Sequence, residues 1–424
     1  ERTRQKKERF DTMKQNRGYP QLTVTKRAEH SIIKGHPWVY YNEITAGQPF
    51  ADGELVDVVS QKGSYLGTGF ANSNSKIRVR LISRNANDRF DEAFFERRLR
   101  YAIDYRRTVM GEDFSNCRLI FGEADQFPGL TVDRFGDILV AQVLSLGIER
   151  RKGMLFAALA KIFDELGEPL RGIYERNDVA IRELEGMEQY KGFYPLPDRP
   201  LPDSTTTTIT ENGITYAVDF ENGQKTGFFL DQKYNRQAVA KLSRGKRVLD
   251  CFTHTGSFGL NAAKGGAAYV LSVDISESAI EMARENARRN GLEDRVEYLA
   301  ENVFDLLPTL SEPEMVRRYG QFDFIILDPP AFTKSRQTVE SAARGYKEIN
   351  LRAMRLLPRG GYLATCSCSH FMTESLFIKM LHQAAADAGV SLRQIEARQQ
   401  SPDHPILWNV EETNYLKFYL FQVV

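Results

Sequence analysis

Long apolar runs are missing from this sequence, since no stretch approaches the roughly 20 consecutive apolar residues that a membrane helix needs. Residues 1–20 are polar and charged, which predicts that they contain no secretory signal. Cysteine is scarce: Cys117, Cys251, Cys366 and Cys368 are too few and too scattered for a disulfide framework. The sequence therefore predicts a cytoplasmic protein with no membrane partner, whose thiols are either buried or chemically active.

A large net charge is also missing. The formal charge is +1, so the chain as a whole carries no electrostatic signal for nucleic acid. Locally, residues 1–17 contain seven Lys and Arg against three Asp and Glu. We interpret residues 1–20 as a basic tail that is either solvated or in contact with phosphate. Hydrophobic residues at 42% and charged residues at 27% are typical of a globular protein.

Three blocks of different composition follow the tail, as expected for 424 residues. Residues 21–88 contain the short segments LTVTKRA, GELVDVVS, SYLGTGFAN and KIRVRLISR between Gly and Asn turns, which predict a small β-barrel. Residues 89–200 mix helical and strand patterns and predict a central α/β domain. The segment 195–208 is rich in proline at its start and is the clearest linker. The final block is 201–424.

The final block predicts a parallel sheet covered by helices. After a hairpin, its apolar segments are KRVLDCF (246–252), AYVLSVDI (268–275), RVEYLAE (295–301), FDFIILD (322–328) and GYLATCS (361–367). They are short and nearly continuous, as in strands buried on both faces, and helical patterns separate them. YLKFYLFQVV at the C-terminus predicts a last strand.

Ligands of such sheets bind at the carboxyl ends of the strands. The first strand leads into Asp250-Cys-Phe-Thr-His-Thr-Gly256, a small-residue turn that lets backbone approach a ligand closely. Asp274 ends the second strand, where an acid can accept both hydroxyls of a ribose. Asn302 follows the third strand, in place to bond an adenine edge. The spacing G-x-G-x-x-G is absent, which favours a nucleoside cofactor without a pyrophosphate.

The fourth and fifth strands end in residues suited to chemistry. Asp328-Pro-Pro-Ala-Phe332 stops the fourth strand and holds Asp328 at the sheet edge, although a purely structural turn is the alternative. Cys366 and Cys368 end the fifth strand and share a face as long as the strand lasts. No further Cys or His cluster completes a metal site, so no metal is predicted.

In these residues the chain resembles the ribosomal RNA large-subunit methyltransferase I family, which makes 5-methylcytosine in 23S rRNA. The resemblance extends over nearly everything after residue 20. It rests on GHPWVY (35–40), LIFGEADQFPGLTVDRFGD (119–137), NGQKTGFFLDQ (222–232), LDCFTHTGSFG (249–259), LDPPAF (327–332), RGYKEIN (344–350) and the SCS of 367–369. It implies an α/β fold: a Rossmann-like class I methyltransferase domain, an N-terminal PUA β-barrel that binds RNA and a central α/β insert. In that topology the last strand is antiparallel to the rest.

The resemblance also implies the chemistry. Cys368 is the expected nucleophile that adds to carbon 6 of a cytosine, because carbon 5 alone is a poor nucleophile. Asp328 is expected to hold the extruded base by its N3 and amino edge. Cys366 stands where relatives commonly carry an apolar residue, so we interpret it as packing.

The complete prediction for the site has three parts. Besides Cys368 and Asp328 as catalytic residues, residues for S-adenosyl-L-methionine are Asp250, Phe252, Thr253, Thr255, Gly256, Asp274, Ile275, Asn302, Val303 and Asp328. Those for the substrate are Lys225, Thr226, Phe228, Pro329, Pro330 and Phe332.

Two departures and two alternatives accompany this prediction. Asn302 replaces the usual Asp of relatives, and His254 replaces a common Tyr. A guanine N-methyltransferase on a related domain is one alternative, which the Ser-Cys-Ser cysteine disfavours. A ribosome-assembly factor that binds RNA with a vestigial cofactor site is the other. The expected partner is RNA, either 23S rRNA or a large-subunit precursor, and a homodimer is an assembly that we also consider.

Overall fold

The computed structural model describes residues 17–333 and 335–424, so residues 1–16 of the predicted basic tail lie outside it. Two compact units divide the described chain: the first contains residues up to 207, 218–228 and 402–413, and the second contains residues 208–217, 229–401 and 414–424. Within the described ranges, every helix is too short or too polar to cross a bilayer.

The first unit begins with a six-stranded sheet. Its strands are β1 (Gln21–Val24), β2 (Trp38–Tyr40), β3 (Ile44–Gly47), β4 (Leu55–Val59), β5 (Tyr65–Ala71) and β6 (Ile77–Ser83). They lie in the order β2-β6-β5-β4-β1-β3. β1 and β4 are parallel, and the other neighbours are antiparallel. Their inward side chains form one apolar cluster, which includes Val24, Val39, Val56 and Val79. The predicted β-rich N-terminal module is thus confirmed as a fold, and its bounds, 21–88, stay a prediction.

One prediction inside this module is wrong. LTVTKRA is not strand throughout, because β1 ends at Val24 and helix α1 (Lys26–Ile33) follows. Thr25 caps the helix, since its Oγ1 accepts a hydrogen bond from the Ala28 backbone N–H at 3.3 Å. Ala28 and Ile32 are buried on one face, so the helix is held by packing at a spacing of four residues.

A second sheet in the first unit contains β7 (Asn116–Phe121), β8 (Leu130–Phe135), β9 (Ile138–Val143), β10 (Gly172–Asn177) and β11 (Tyr190–Tyr194), in the order β11-β10-β9-β8-β7. The helices of this part are α2 (Glu92–Met110), α3 (Leu146–Glu149), α4 (Lys152–Glu165) and α5 (Ile181–Leu184). β9 and β10 pair in parallel, and α3 and α4 lie in the connection between them. This agrees with the α/β insert predicted for residues 89–200.

Buried polar contacts join the two sheets of the first unit. Glu185 is 3% exposed and accepts hydrogen bonds from Asn72, Ser75 and Arg80 at 3.0, 2.6 and 2.9 Å. Removing any one donor leaves a buried carboxylate incompletely satisfied, which is costly. The predicted boundary at residues 88/89 therefore falls between two sheets that share a polar core.

The second unit is the predicted helix-covered sheet. After the hairpin of β12 (Thr206–Glu211) and β13 (Ile214–Asp219), its strands are β14 (Arg247–Cys251), β15 (Tyr269–Asp274), β16 (Val296–Ala300), β17 (Phe324–Leu327), β18 (Tyr362–Ser367), β19 (Leu392–Arg398) and β20 (Lys417–Val423). Its helices are α6 (Lys233–Leu242), α7 (Ser257–Lys264), α8 (Glu277–Arg289), α9 (Val303–Thr309), α10 (Pro313–Tyr319), α11 (Val339–Leu356) and α12 (Glu374–Ala388).

The strand order of this sheet is β16-β15-β14-β17-β18-β20-β19. The chain starts in the middle at β14, moves outward to β16, and returns to β17 on the other side. That reversal creates a topological switch point between β14 and β17. β20 runs antiparallel to β18, which confirms the prediction for the last strand. β19 was not predicted, because its mostly exposed edge position lacks the apolar run of the central strands.

Candidate functional site

Five parallel strands of the second unit end at one edge of the sheet. β14 pairs with β15 and β17, β15 with β16, and β17 with β18, all in parallel. The residues predicted for the cofactor and for catalysis follow the strands as Asp250–Gly256, Asp274, Asn302, Asp328 and Cys368. One edge therefore collects side chains that are far apart in sequence.

Asp250 stabilises the turn after β14 by accepting hydrogen bonds from within it and from its neighbours. Its Oδ2 accepts from the hydroxyl of Thr253, from the backbone N–H of Gly259 at 2.8 Å and from the hydroxyl of Ser272 at 3.3 Å. It is fully buried, and burial raises the pKa of Asp250 to about 7, with a further rise from the charge of Asp328. Its role in this structure is to hold the turn.

The turn itself uses an uncommon backbone. Phe252 and His254 have φ values of +63° and +51°, and Gly256 has +86°. Each non-glycine residue in this region costs about 1–3 kcal/mol, which persists only where the surroundings enforce it. At Gly256 an added Cβ would lie 3.0 Å from the Cβ of Ala283, so glycine permits both the conformation and the packing of α8.

Asp274 is oriented by two backbone donors. Its Oδ2 accepts from the N–H of His254 at 2.9 Å, and its Oδ1 accepts from the N–H of Ser276 at 3.0 Å. A carboxylate has about four lone-pair sites, so each oxygen keeps one for a ligand. The arrangement suits a pair of neighbouring hydroxyls, as in a ribose.

The next two predicted positions are at the start of α9. Asn302 caps this helix, because its Oδ1 accepts from the Phe304 N–H at 3.0 Å. Val303, the first residue of α9, is buried. An exposed apolar side chain lies close in sequence to both Asp274 and Asn302. Ile275, the residue after Asp274, is 72% exposed, and Phe304, two residues after Asn302, is 37% exposed.

This donor and acceptor set fits S-adenosyl-L-methionine. The ligand has a ribose, an adenine with polar edges and apolar faces, and no phosphate. The turn carries hydrogen-bond acceptors and exposed apolar surface. The first two residues after each of β14, β15 and β16 include no Lys or Arg. Asp274 would hold the ribose, Asn302 the adenine edge, and Ile275 and Phe252 the flat faces. Thr255 and Thr253 are buried within the turn.

Asp328 lies directly after β17 beside the cofactor turn. Gln232 Nε2 donates to Asp328 Oδ1 at 3.1 Å. Burial raises the pKa of Asp328 to about 7, and the neighbouring carboxylate of Asp231 adds to the rise. A carboxyl group with such a pKa is partly protonated near neutral pH, so Asp328 can donate as well as accept a hydrogen bond.

The two prolines after Asp328 differ in exposure, with Pro329 buried and Pro330 exposed. Phe332 turns back into an aromatic cluster: its ring centroid lies 4.6 Å from that of Tyr346 and 6.3 Å from that of Phe252. This packing fixes the loop at its far end.

The two thiols after Thr365 have different environments. Cys366 is fully buried within β18, and burial raises the pKa of the Cys366 thiol well above its ordinary value. β18 ends at Ser367, so Cys368 lies just beyond the strand and is partly accessible. The flanking serines are tied down, because Ser367 Oγ donates to the Tyr346 hydroxyl at 3.1 Å and Ser369 Oγ donates to the Thr333 carbonyl at 2.9 Å.

Three residues predicted for substrate binding belong to the first unit. Thr226 is 1% exposed, and its hydroxyl donates to Asp133 Oδ2 at 2.6 Å. Phe228 is 4% exposed, and Lys225 is exposed with φ of +51°. In this unit Thr226 therefore ties its loop to the second sheet.

Three residues at the second unit's site were not predicted. Gln232 bonds Asp328, Tyr346 contacts both Phe332 and Ser367, and Lys417 Nζ donates to the carbonyl of Ser369 at 2.6 Å. Of these, Lys417 left a signal in the sequence, since it is the single charge in the apolar segment YLKFYLF. In the described part of the chain, no group of three or more His, Cys, Asp or Glu side chains could hold a metal ion.

Two family models match parts of this chain. A family model for S-adenosylmethionine-dependent methyltransferases matches residues 198–422, and one for PUA-like domains matches residues 22–84. The ribosomal RNA large subunit methyltransferase I of Klebsiella pneumoniae strain 342 is 39% identical over 412 residues, covering 96% of this chain and 99% of that protein. The protein of the same name from Aeromonas hydrophila is 41% identical over 403 residues, covering 93% and 97%.

A solved structure agrees in fold. A candidate SAM-dependent methyltransferase from Streptococcus mutans superimposes with a TM-score of 0.77 at 23% identity, covering 95% of this chain and all of that one. At this identity the likeness concerns the fold alone. The fold of this chain is thus shared with a solved protein along nearly its whole length.

Proposed function

Because the chain belongs to the ribosomal RNA large subunit methyltransferase I family of S-adenosylmethionine-dependent methyltransferases, we propose that it methylates carbon 5 of a cytosine in large-subunit ribosomal RNA. The observation that carries this proposal is Cys368. It is a partly accessible thiol just beyond β18, one strand away from Asp328. A reaction on a base nitrogen needs no such nucleophile.

The chemistry begins with the thiolate of Cys368. Its sulfur forms a bond to carbon 6 of the cytosine, and the electrons of the 5,6 double bond move toward carbon 5 and the N3 side of the ring. The cofactor supplies an electrophilic methyl group, which carbon 5 then takes. The proton on carbon 5 then passes to solvent water, which restores the 5,6 double bond and expels the Cys368 thiolate.

Asp328 is the residue that supports charge at N3. Neutral cytosine presents N3 as an acceptor and its amino group as a donor, so a protonated carboxyl matches both. The raised pKa of Asp328, about 7, leaves a protonated fraction for this contact at neutral pH. Gln232 orients the carboxyl by donating to its Oδ1. Pro329, Pro330 and Phe332 shape the loop around the base, which must be unpaired or extruded to enter.

RNA contact by the first unit involves fewer basic residues than the segment KIRVRLISR suggests. Arg80 is buried and pairs with Glu185, and Arg78 donates to the Asn72 carbonyl. Lys76 and Arg84 are exposed, whereas Arg78 is half-buried; Arg84 Nη1 donates to the carbonyls of Ile32 and Ile33 at 3.0 and 3.3 Å, which leaves the other nitrogens of its guanidinium for a phosphate. We assign the phosphate contacts of this segment to Lys76 and Arg84.

The aromatic residues of the segment 35–41 likewise include one structural side chain and two exposed ones. Trp38 donates to Glu123 and lies beneath Arg80, which makes it structural. Tyr40 and Tyr41 are 37% and 57% exposed, and we assign them to stacking on bases. Lys225, exposed in the segment 218–228, is a further phosphate contact in this proposal.

Paired cysteine variants test the reaction. Cys368→Ala should abolish methyl transfer but leave S-adenosylmethionine binding intact, and Cys366→Ala, with the same truncation two residues away, should retain substantial activity. RNA that contains 5-fluorocytosine should trap a covalent complex through Cys368, since fluorine at carbon 5 cannot leave as a proton. Full activity of the double variant would overturn the covalent mechanism.

Product analysis separates the remaining alternatives. Digested rRNA from cells with and without the enzyme should differ in 5-methylcytosine. A difference in N-methylguanosine would instead show a guanine enzyme, and no difference in any methylated nucleoside would indicate an assembly factor. We further propose that the enzyme acts in the cytoplasm. A homodimer stays a prediction that sedimentation of the purified protein tests.

A further inference from the structure

A buried lysine lies beside the proposed nucleophile. Lys417 is the first residue of β20, and in the ladder it pairs with Ser367, the last residue of β18. Cys368 is the next residue after Ser367, so Lys417 lies near it. The side chain of Lys417 is 6% exposed. A lysine side chain is almost never this buried unless its ammonium group has a bonding partner or a functional role.

The contacts of its ammonium group place it at the loop that contains Cys368. Nζ donates to the carbonyl of Ser369 at 2.6 Å and to the carbonyl of Tyr415 at 2.8 Å. Ser369 is the residue after Cys368, and its hydroxyl is bonded to Thr333. Both acceptors are neutral carbonyls. Among residues 17–333 and 335–424, no carboxylate forms an ion pair with Lys417, so its charge is free to act on a neighbour.

We propose that the Lys417 ammonium stabilises the thiolate of Cys368 and fixes its position, so that Lys417 is a positioning residue for the methyl-transfer reaction. This inference rests on the proposed role of Cys368. The thiol proton is released to solvent, and the ammonium of Lys417 and the thiolate of Cys368 then form an ion pair at the end of β18. The Ser369 carbonyl anchors the lysine to the same short loop.

The electrostatic surroundings agree with this assignment. Burial lowers the pKa of Lys417 to about 8, and the charges of Cys368 and Glu374 oppose that shift. A lysine with this pKa is still mainly cationic at pH 7. The other titratable groups around Cys368 are Tyr346, whose pKa burial raises, and Cys366, whose pKa burial also raises.

The remaining acids near Cys368 do not cancel the positive charge of Lys417 at the thiol. Asp328 is partly protonated near pH 7 and is bonded to Gln232. Glu374 accepts from the Tyr419 hydroxyl at 2.8 Å. His370, two residues after Cys368, is exposed. Lys417 is thus the buried cation of this cluster.

The test measures the thiol without RNA or cofactor. The rate at which iodoacetamide alkylates Cys368 is followed against pH, with Cys368→Ala as the blank for the other three thiols. In Lys417→Met the midpoint should rise by about one unit, which slows alkylation at pH 7 about tenfold. Lys417→Arg should keep most of the rate because it keeps the charge. Lys379→Met, the same substitution on an exposed lysine of α12, is the matched control.

A folded Lys417→Met protein with the wild-type midpoint would overturn the inference. A reciprocal experiment covers the case in which that variant does not fold. Coupling between two groups is mutual, so Cys368→Ala should lower the pKa of Lys417, measured by NMR of its side-chain nitrogen. An unchanged Lys417 titration would refute the coupling. Neither experiment requires methyl transfer, so failure of the proposed reaction is distinguished from failure of this inference.

Discussion

Asp274 is the acid on which cofactor affinity should depend most. In the ligand-free turn it already accepts two backbone hydrogen bonds, from His254 and Ser276. Asp274→Ala removes the acceptors for the ribose hydroxyls, and loss of a charged hydrogen bond of this kind costs about 1.5–3 kcal/mol. That corresponds to a roughly ten- to hundredfold weaker affinity for S-adenosylmethionine.

We expect the loss of affinity in Asp274→Ala to lie toward the upper end of this ten- to hundredfold range. His254 has a φ of +51°, and its N–H bond to Asp274 helps to hold this uncommon conformation. Without the carboxylate the turn has no acceptor for the ribose and also lacks part of its own support. Asp274→Asn keeps one acceptor oxygen, so we expect a smaller loss, of about tenfold.

Calorimetry of S-adenosylmethionine and S-adenosylhomocysteine binding measures these losses. Thermal unfolding without ligand shows whether each variant is folded. Asp294→Ala, a substitution of an exposed acid between α8 and β16, serves as the control and should bind as the wild type does. If a folded Asp274→Ala protein binds within twofold of the wild type, Asp274 does not hold the ribose and the assignment of this edge is wrong.

Three further predictions concern stability, pH and RNA. Arg236 and Glu211 form a buried ion pair at 2.6 Å, so Arg236→Met should destabilise the protein by about 3–5 kcal/mol in urea unfolding, and adding Glu211→Leu should recover part of the loss. The rate of methyl transfer should fall above pH 7 as Asp328, with its pKa raised to about 7, loses its proton, and this descending limb should vanish in Asp328→Asn. Replacing Lys76 and Arg84 by Ala should weaken RNA binding and reduce its salt slope by about one for each phosphate that is no longer neutralised, whereas an unchanged slope would show that neither residue touches phosphate.

The central strands of the second unit could be predicted from the sequence because they are buried on both faces. Such strands are short continuous apolar runs, and their number and order of appearance were correct. The elements that sequence reasoning missed are those stabilised differently. α1 depends on a Thr25 cap and two buried residues, β2 has three residues, and β19 is an exposed edge strand.

The candidate site was predictable where chemistry follows directly from a strand end, as at Asp274 and Asp328. Contacts between distant segments were not. Gln232 and Asp328 are separated by 96 positions, and Lys417 and Ser369 by 48. No local pattern encodes such pairs, because they arise only when the strands align. The basic segment 76–84 shows the converse, since its buried arginine looks like a phosphate ligand until its carboxylate partners are seen.

The end of β18 gives the two neighbouring thiols, Cys366 and Cys368, different exposure. Alternation along a strand would place Cys366 and Cys368 on the same face, so strand periodicity does not distinguish them and only the family resemblance does. The ladder with β20 stops at the pair of Ser367 and Lys417. Cys366 therefore stays buried inside the sheet, where its thiol is hydrogen-bonded with Asp328 and Gln232, whereas Cys368 lies beyond the strand and is partly accessible. The same pair brings the Lys417 ammonium to the loop of Cys368, so the proposal that Lys417 favours the thiolate depends on the same register position that ends the strand before Cys368.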